Sequence, residues 1–190
     1  MVMKKDFNII ISGIGGQGLI TLLQIISEAA LMENFEVKTS ELHGLSQRAG
    51  SVEVHIRFGK KIYSPLVVLG RADLILALEI SEALKVFPYS NNETVFLINE
   101  NFISFYGSLN EKEIKEKIKS IKNPKYLVSA SKICADKLGA EVVSGVYLLG
   151  YAVYKKLIPL KPNSILNAMV KVIPQKYLEL NQKAFELTKK

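Results

Sequence analysis

The sequence holds one cysteine, Cys134, and two histidines, His43 and His55. One cysteine excludes an intramolecular disulfide, and it excludes an iron–sulfur cluster held by the chain's own thiolates. Two histidines are too few for a self-contained histidine metal site. Metal-based redox chemistry would therefore need its metal on another chain. No apolar run reaches about 18 residues, so no segment reads as a membrane span. The start, Met1-Val2-Met3-Lys4-Lys5-Asp6, leads straight into a short apolar strand with no small-residue cleavage site after it. That reads as a cytoplasmic protein without a signal peptide. Arginine-rich helices and basic residues interleaved with aromatics are also missing, which leaves nucleic-acid binding without support.

What is present begins with charge. The formal net charge is +7. Such an excess favours acidic partners and long-range steering, although a lysine-rich solvated surface is the simpler account of it. The length, 190 residues, suits one domain with a sizeable core, and a single domain over residues 1–190 is expected.

Strand and helix patterns alternate, which predicts an α/β fold: an open, mostly parallel sheet flanked by helices, Rossmann-like. Phe7 to Ser12 reads as a buried central strand, Leu19 to Met32 as a helix, and Phe35 to Ser40 as a second strand. Ser51 to Phe58 alternates, with Val52, Val54, Ile56 and Phe58 on one face and Ser51, Glu53, His55 and Arg57 on a half-exposed other face. Gly59-Lys60-Lys61 reads as a turn and Ile62 to Leu69 as a returning strand, which together predict an inserted β-hairpin. Ala72 to Leu78, Thr94 to Asn99 and Tyr126 to Ser129 read as further strands. Helices are expected over Ile80 to Phe87, over Asn110 to Ile121 with Asn110 as N-cap, and over Ser131 to Leu138. Ser144 to Leu157 reads as a further helix, and Asn163 to Val172 and Gln175 to Lys189 form an expected helical carboxyl-terminal tail.

Gly13-Ile14-Gly15-Gly16-Gln17-Gly18 fits G-x-G-x-x-G between a strand and a helix. In that setting the first glycine permits a tight turn. The second admits a phosphate to the backbone, and the third brings helix and strand together. Free N–H groups at the helix start favour an anion. Gly13, Gly15, Gly16, Gln17 and Gly18 are therefore candidate anion- or cofactor-binding residues. A dinucleotide site also wants an acidic residue at the end of the second strand, and Glu41 is the candidate, somewhat late in the chain. The alternative is a tight turn that binds nothing.

The loop Glu41 to Gly50 is polar and glycine-rich. Loops at the carboxyl ends of parallel strands are where open α/β sheets bind ligands. The glycine turn and this loop are expected to follow adjacent strands and share that edge. Arg48 can grip a phosphate or carboxylate in a two-pronged contact. Gln47, Ser51 and His43 add donors. His43 is the one candidate for catalysis, with no nucleophile or paired carboxylate visible beside it. A subunit-contact loop with these side chains bonded internally is the structural alternative.

GIGGQG followed by a helix, and then TSELHGLSQRAGSVEVHIRFG, resembles the gamma-type domain of the 2-oxoacid:ferredoxin oxidoreductases. The His-Gly-x-x-Gln-Arg-x-Gly-Ser-Val form is similar to that of the small (beta) subunit of the indolepyruvate type. ADLILALE and the Gly139 to Gly150 segment also look like this family. The resemblance implies a subunit of an enzyme that oxidatively decarboxylates a 2-oxoacid, an aryl pyruvate such as indolepyruvate, to acyl-coenzyme A and carbon dioxide while reducing ferredoxin. Coenzyme A would be co-substrate. Thiamine diphosphate, magnesium and iron–sulfur clusters would sit on a large partner subunit, in keeping with the absence here of a GDG…N pattern. The cofactors would do the hard chemistry, with protein supplying orientation. Expected partners are that large subunit and ferredoxin, with a homodimer of the isolated chain left open. A stand-alone nucleotide-binding oxidoreductase and a non-catalytic regulatory module of the same fold are the competing readings.

Overall fold

The computed structural model describes residues 6–44, 50–104 and 109–189. Six strands form one sheet: β1 (Asp6–Ile14), β2 (Glu36–His43), β3 (Ser51–Gly59), β4 (Leu74–Ala77), β5 (Val95–Asn99) and β6 (Lys125–Val128). Their order across the sheet is β2-β3-β1-β4-β5-β6. β1 pairs in parallel with β4, β4 with β5, and β5 with β6. β3 lies antiparallel to β1 on one side and to β2 on the other, so it alone runs against the other five. The mostly parallel α/β sheet expected from the sequence is present.

Strand alternation divides the interior into two cores. Ile9 and Ile11 of β1, Val54, Ile56 and Phe58 of β3, and Leu74 and Leu76 of β4 face one side. There they meet α1 (Leu19–Met32) and a layer made by α5 (Ser144–Tyr154), α6 (Pro162–Val172) and α7 (Gln175–Glu186). The expected carboxyl-terminal helices are present and complete this core, with Leu149, Ile165, Met169 and Phe185 buried. Ile10, Ile75, Phe96 and Ile98 face the other side, against α2 (Ile80–Lys85) and α3 (Glu111–Ser120). α4 (Ala130–Leu138) follows β6 and buries Cys134, whose thiol burial pushes up to about 11.

The expected returning strand does not form: Ile62 to Leu69 has no regular structure. The hairpin that exists joins β2 to β3. The reason is the supply of edges. β3 pairs over its whole length with β1 and over eight residues with β2, so β3 has no free edge for a strand turning back on it. Pro65 also lacks the N–H that a paired strand would need. The polar face of β3 is half-exposed as expected at Ser51, Glu53 and Arg57, but not at His55. His55 is buried, because residues 62–72 and Tyr89 cover it.

α3 begins on a capping box. Asn110 Oδ1 accepts the Glu113 N–H at 3.0 Å, and the Glu113 carboxylate accepts the Asn110 N–H at 2.9 Å. Replacing Asn110 with alanine should cost about 1 kcal/mol, and glycine only a few tenths. Faster amide exchange confined to α3 in the alanine variant would verify it.

At Gly150 two effects oppose each other. Alanine there gains about 1 kcal/mol of helix propensity. Its Cβ, however, would lie 2.4 Å from the Phe185 carbonyl oxygen and 2.6 Å from Thr188 Oγ1, where α5 crosses the end of α7. Backbone cannot swing aside as a side-chain tip can. Overpacking of this kind costs about 1–3 kcal/mol, so Gly150→Ala should lower the urea midpoint. An unchanged or higher midpoint would show that the two helices are not this closely apposed.

Candidate functional site

The carboxyl ends of β1, β4, β5 and β6 share one edge of the sheet, and the β2–β3 connection joins them there. Pairing of Ile14 with Ser51 and of His43 with Val52 places the glycine turn beside the loop that follows β2. The two do share an edge, but not because their strands are adjacent: β3 stands between β1 and β2. The link is direct, since Gly15 N–H donates to the Gly50 carbonyl at 3.0 Å.

The glycine turn divides its groups between holding itself and facing solvent. The Ile14 N–H donates to Gln17 Oε1 at 2.8 Å, and the Gln17 N–H to the Ile14 carbonyl at 3.1 Å. Gly13 makes room for this, because a Cβ there would meet Gln17 Oε1 at 2.7 Å and Leu78 Cβ at 3.2 Å. Gly16 and Gly18 have φ of +99° and +80°, which L side chains rarely adopt. Gln17 and Gly15 are therefore partly committed to the turn. What remains for an anion is the exposed backbone at Gly16 and Gly18 and the first turn of α1, which no side chain caps. Gln17 and Gly18 also rim a cavity of about 370 Å³ whose walls include Val142, Val146 and Tyr177.

Ser51 is anchored. Its hydroxyl donates to the Glu82 carboxylate, whose other oxygen takes Lys85 Nζ at 2.6 Å. Glu82 is buried. Beside it Glu79, at 0 % exposure, caps α2: its carboxyl accepts the N–H groups of Ser81 at 2.7 Å and Glu82 at 3.0 Å, and also that of Ile103 at 3.1 Å. Glu79 and Glu82 escaped the sequence reading. The signal was available in the acidic residues directly after the apolar ADLILAL run. His43 is exposed, and its Nδ1 lies 3.3 Å from the Gly44 carbonyl. Among the described residues no carboxylate orients the ring. Gln47 and Arg48 lie outside the described residues.

Glu41 stands opposite Val54, which stands opposite Ile11. It is thus two strands from β1, roughly 10 Å at the usual strand spacing. A ribose held at the end of a neighbouring parallel strand would not meet it. Among the described residues no group of three or more histidine, cysteine, aspartate or glutamate side chains could hold a metal ion.

A third cluster runs along the polar face of β3. His55 Nδ1 accepts the Val67 N–H at 3.0 Å, which leaves the ring proton on Nε2 to donate to Glu53 Oε1 at 2.6 Å. Tyr89 also bonds Glu53 and lies edge-on to the His55 ring at 5.1 Å. Burial would push the Glu53 carboxyl up, but hydrogen bonds from His55 and Tyr89 outweigh it and hold the group below its usual value. Burial and the Glu53 carboxylate push the Tyr89 phenol up to about 12.

The sequence matches the family described as pyruvate ferredoxin/flavodoxin oxidoreductase over residues 8–190. It is 33 % identical to the indolepyruvate oxidoreductase subunit IorB of Pyrococcus horikoshii, across 96 % of this chain and 94 % of that one. In fold it is similar to the gamma subunit of a keto/oxoacid ferredoxin oxidoreductase from Geobacter sulfurreducens, with a TM-score of 0.74 at 22 % identity over 96 % of both chains. It is also similar to part of a 2-oxoglutarate:ferredoxin oxidoreductase from Magnetococcus marinus, with a TM-score of 0.76 at 19 % identity over 98 % of this chain and 31 % of that longer one. Matched nearly from end to end, the chain belongs to the pyruvate ferredoxin/flavodoxin oxidoreductase family.

Proposed function

We propose that the chain is the small, gamma-type subunit of a cytoplasmic 2-oxoacid:ferredoxin oxidoreductase, and that the 2-oxoacid is an aryl pyruvate such as indolepyruvate. The observation that carries this is the likeness to IorB over 96 % of the chain. The enzyme would convert the oxoacid and coenzyme A to acyl-coenzyme A and carbon dioxide and reduce ferredoxin. When bound, thiamine diphosphate with magnesium supplies the carbon chemistry, and iron–sulfur clusters carry the electrons.

This chain's own donors do not fit a cluster. It has one cysteine, and that thiol is fully buried and pushed up to about 11, away from the thiolate a cluster needs. The clusters and thiamine are assigned to a large partner subunit.

The small subunit's part is then positional. The carboxyl edge of the sheet is the face turned to that subunit. The backbone at Gly16, Gly18 and the start of α1 would hold an anionic group, and the loop between His43 and Ser51 would contact the partner near the thiamine or coenzyme A site. Two fixings support this reading by holding the loop's end: Gly15 to Gly50, and Ser51 to Glu82. The independent nucleotide-binding reading is disfavoured by the two-strand distance of Glu41 from β1.

A tagged chain recovered gently from its native, oxygen-free cells should bring down a large protein that carries thiamine diphosphate and iron. A lone chain without either would sink the subunit reading. In the assembled enzyme, Arg48→Ala should raise KM for coenzyme A or the oxoacid on the order of tenfold, the effect of losing one charge-assisted hydrogen bond of about 1.5 kcal/mol. If the complex stays intact and neither constant moves, Arg48 has no such role.

A further inference from the structure

Residues 60–71 hold no regular structure beyond turns, yet they are fastened at many points. His55 accepts the Val67 N–H. Arg57, from the same polar face of β3, donates to the Ser64 carbonyl at 3.0 Å and the Leu66 carbonyl at 3.4 Å. Asn8 of β1 donates to the Arg71 carbonyl at 3.1 Å, and Asn91 to the Gly70 carbonyl at 3.0 Å. Gly70 N–H reaches the Pro88 carbonyl, which brings the segment against Phe87. Ile62 and Val67 turn inward and are buried.

The side chains that turn outward are apolar. Tyr63 is 81 % exposed, Leu66 45 %, Val68 63 % and Leu69 64 %, and neighbouring Phe87 is 43 % exposed. Scattered apolar side chains on a surface need no explanation, but several along one short, rigidly held strip do. A segment left over from folding would gain by turning them in or by loosening. Here buried polar side chains of the sheet fix the backbone in the conformation that keeps them out.

We propose that this strip is the docking surface for the large subunit, and that it receives a protein face with an apolar centre and an acidic rim. The inference rests on the subunit reading above. The charge comes from the strip's own margins: Lys60, Lys61 and Arg71 are exposed and form no ion pair among the described residues. Lys61 Nζ lies 5.1 Å from the Tyr63 ring centroid, so cation and aromatic form one unit. Glu93 and Asp6 line the cleft with Arg71, and Asp6 is already paired with Arg57 at 3.3 Å. A second copy fits poorly. A two-fold contact sets the same patch against itself, and would bring these three cations toward their own copies.

The strip is also separate from the glycine turn. Val68, Gly70 and Arg71 line a cleft with Asp6 and Asn8, at the amino end of β1. The large subunit would therefore be gripped by the strip and meet the carboxyl edge of the sheet independently.

The test uses the tagged full chain recovered from oxygen-free cells, with the wild type and a Val68→Glu, Leu69→Glu double variant side by side. Both substituted side chains are exposed, so the urea midpoint should match the wild type's. The large partner that co-purifies with the wild type should fall at least tenfold with the variant. Lys60→Glu with Lys61→Glu, outside the core altogether, should produce a comparable loss and guards against misfolding of the first variant. Equal recovery of the partner by wild type and both variants overturns the docking surface and leaves the subunit reading standing. Absence of any large partner from the wild type overturns both. Loss of self-association in sedimentation, with the large partner retained, assigns the strip to a second copy and overturns the proposal.

Discussion

The pairing of β3 along both its edges is the constraint on which the rest of this structure depends. From Asp6 opposite Gly59 to Ile14 opposite Ser51 it lies against β1, and from Glu36 opposite Gly59 to His43 opposite Val52 it lies against β2. One antiparallel strand in an otherwise parallel sheet reverses which ends meet. The loop that leaves β2 is carried back to the glycine turn, so that Gly50 can accept from Gly15. Glu41 is moved outward to the edge strand. With both edges of β3 filled, residues 60–71 have no ladder to join there and must find their hydrogen bonds elsewhere, among side chains and, at Gly70, at the Pro88 carbonyl.

They find them on the polar face of β3, whose buried groups need partners just as much. An unpaired buried polar group costs about 1–3 kcal/mol. Every one of the four side chains on that face is engaged. Ser51 reaches Glu82, Glu53 takes His55 and Tyr89, and His55 takes Val67. Arg57 donates to Asn8 at 2.8 Å and to Asp6 at 3.3 Å, besides the two carbonyls of the strip. The irregular segment and the polar strand face thus satisfy each other. Because Tyr89 loses its proton only near about 12, its hydroxyl remains available to Glu53 through the neutral range.

The elements most legible in the sequence are those whose local signals agree with their burial. The isoleucine run of β1, the ADLILAL run of β4 and the Asn110 N-cap of α3 each lie where the sequence placed them. The β3 alternation was legible too, but alternation reports two unlike faces and not what covers them. Ser51, Glu53, His55 and Arg57 look like a solvated face until residues 62–72 are folded over it. Ile62 to Leu69 misleads for a related reason. Its composition suits a strand, while strand formation requires a free partner edge, which no local pattern records. Only Pro65 argued against it. At the site, Gly13 to Gly18 and Ser51 could be found by motif and loop position. Glu79 and Glu82 follow the ADLILAL run visibly, but their long-range bonds to Ile103 and Ser51 join residues far apart in the chain, which no local pattern records.

The glycine motif shows how much of a ligand-binding signature can be packing. Of its six residues, Gly13 clears space for the Gln17 side chain, Ile14 and Gln17 bond each other, and Gly15 is tied to Gly50. At Gly16 and Gly18 nothing lies within 4 Å of where a Cβ would stand. The same six letters in a dinucleotide enzyme sit beside a parallel second strand whose acidic end completes the site. Here that neighbour is β3, running the other way and beginning with Ser51, which is held by Glu82. Among the described residues the turn therefore keeps the anion-attracting end of α1 but has no parallel second strand with an acidic end beside it, which is half of a nucleotide site. A half-site of this kind makes chemical sense when another subunit supplies the remainder, which is what a family of multi-component oxidoreductases would require of its smallest part.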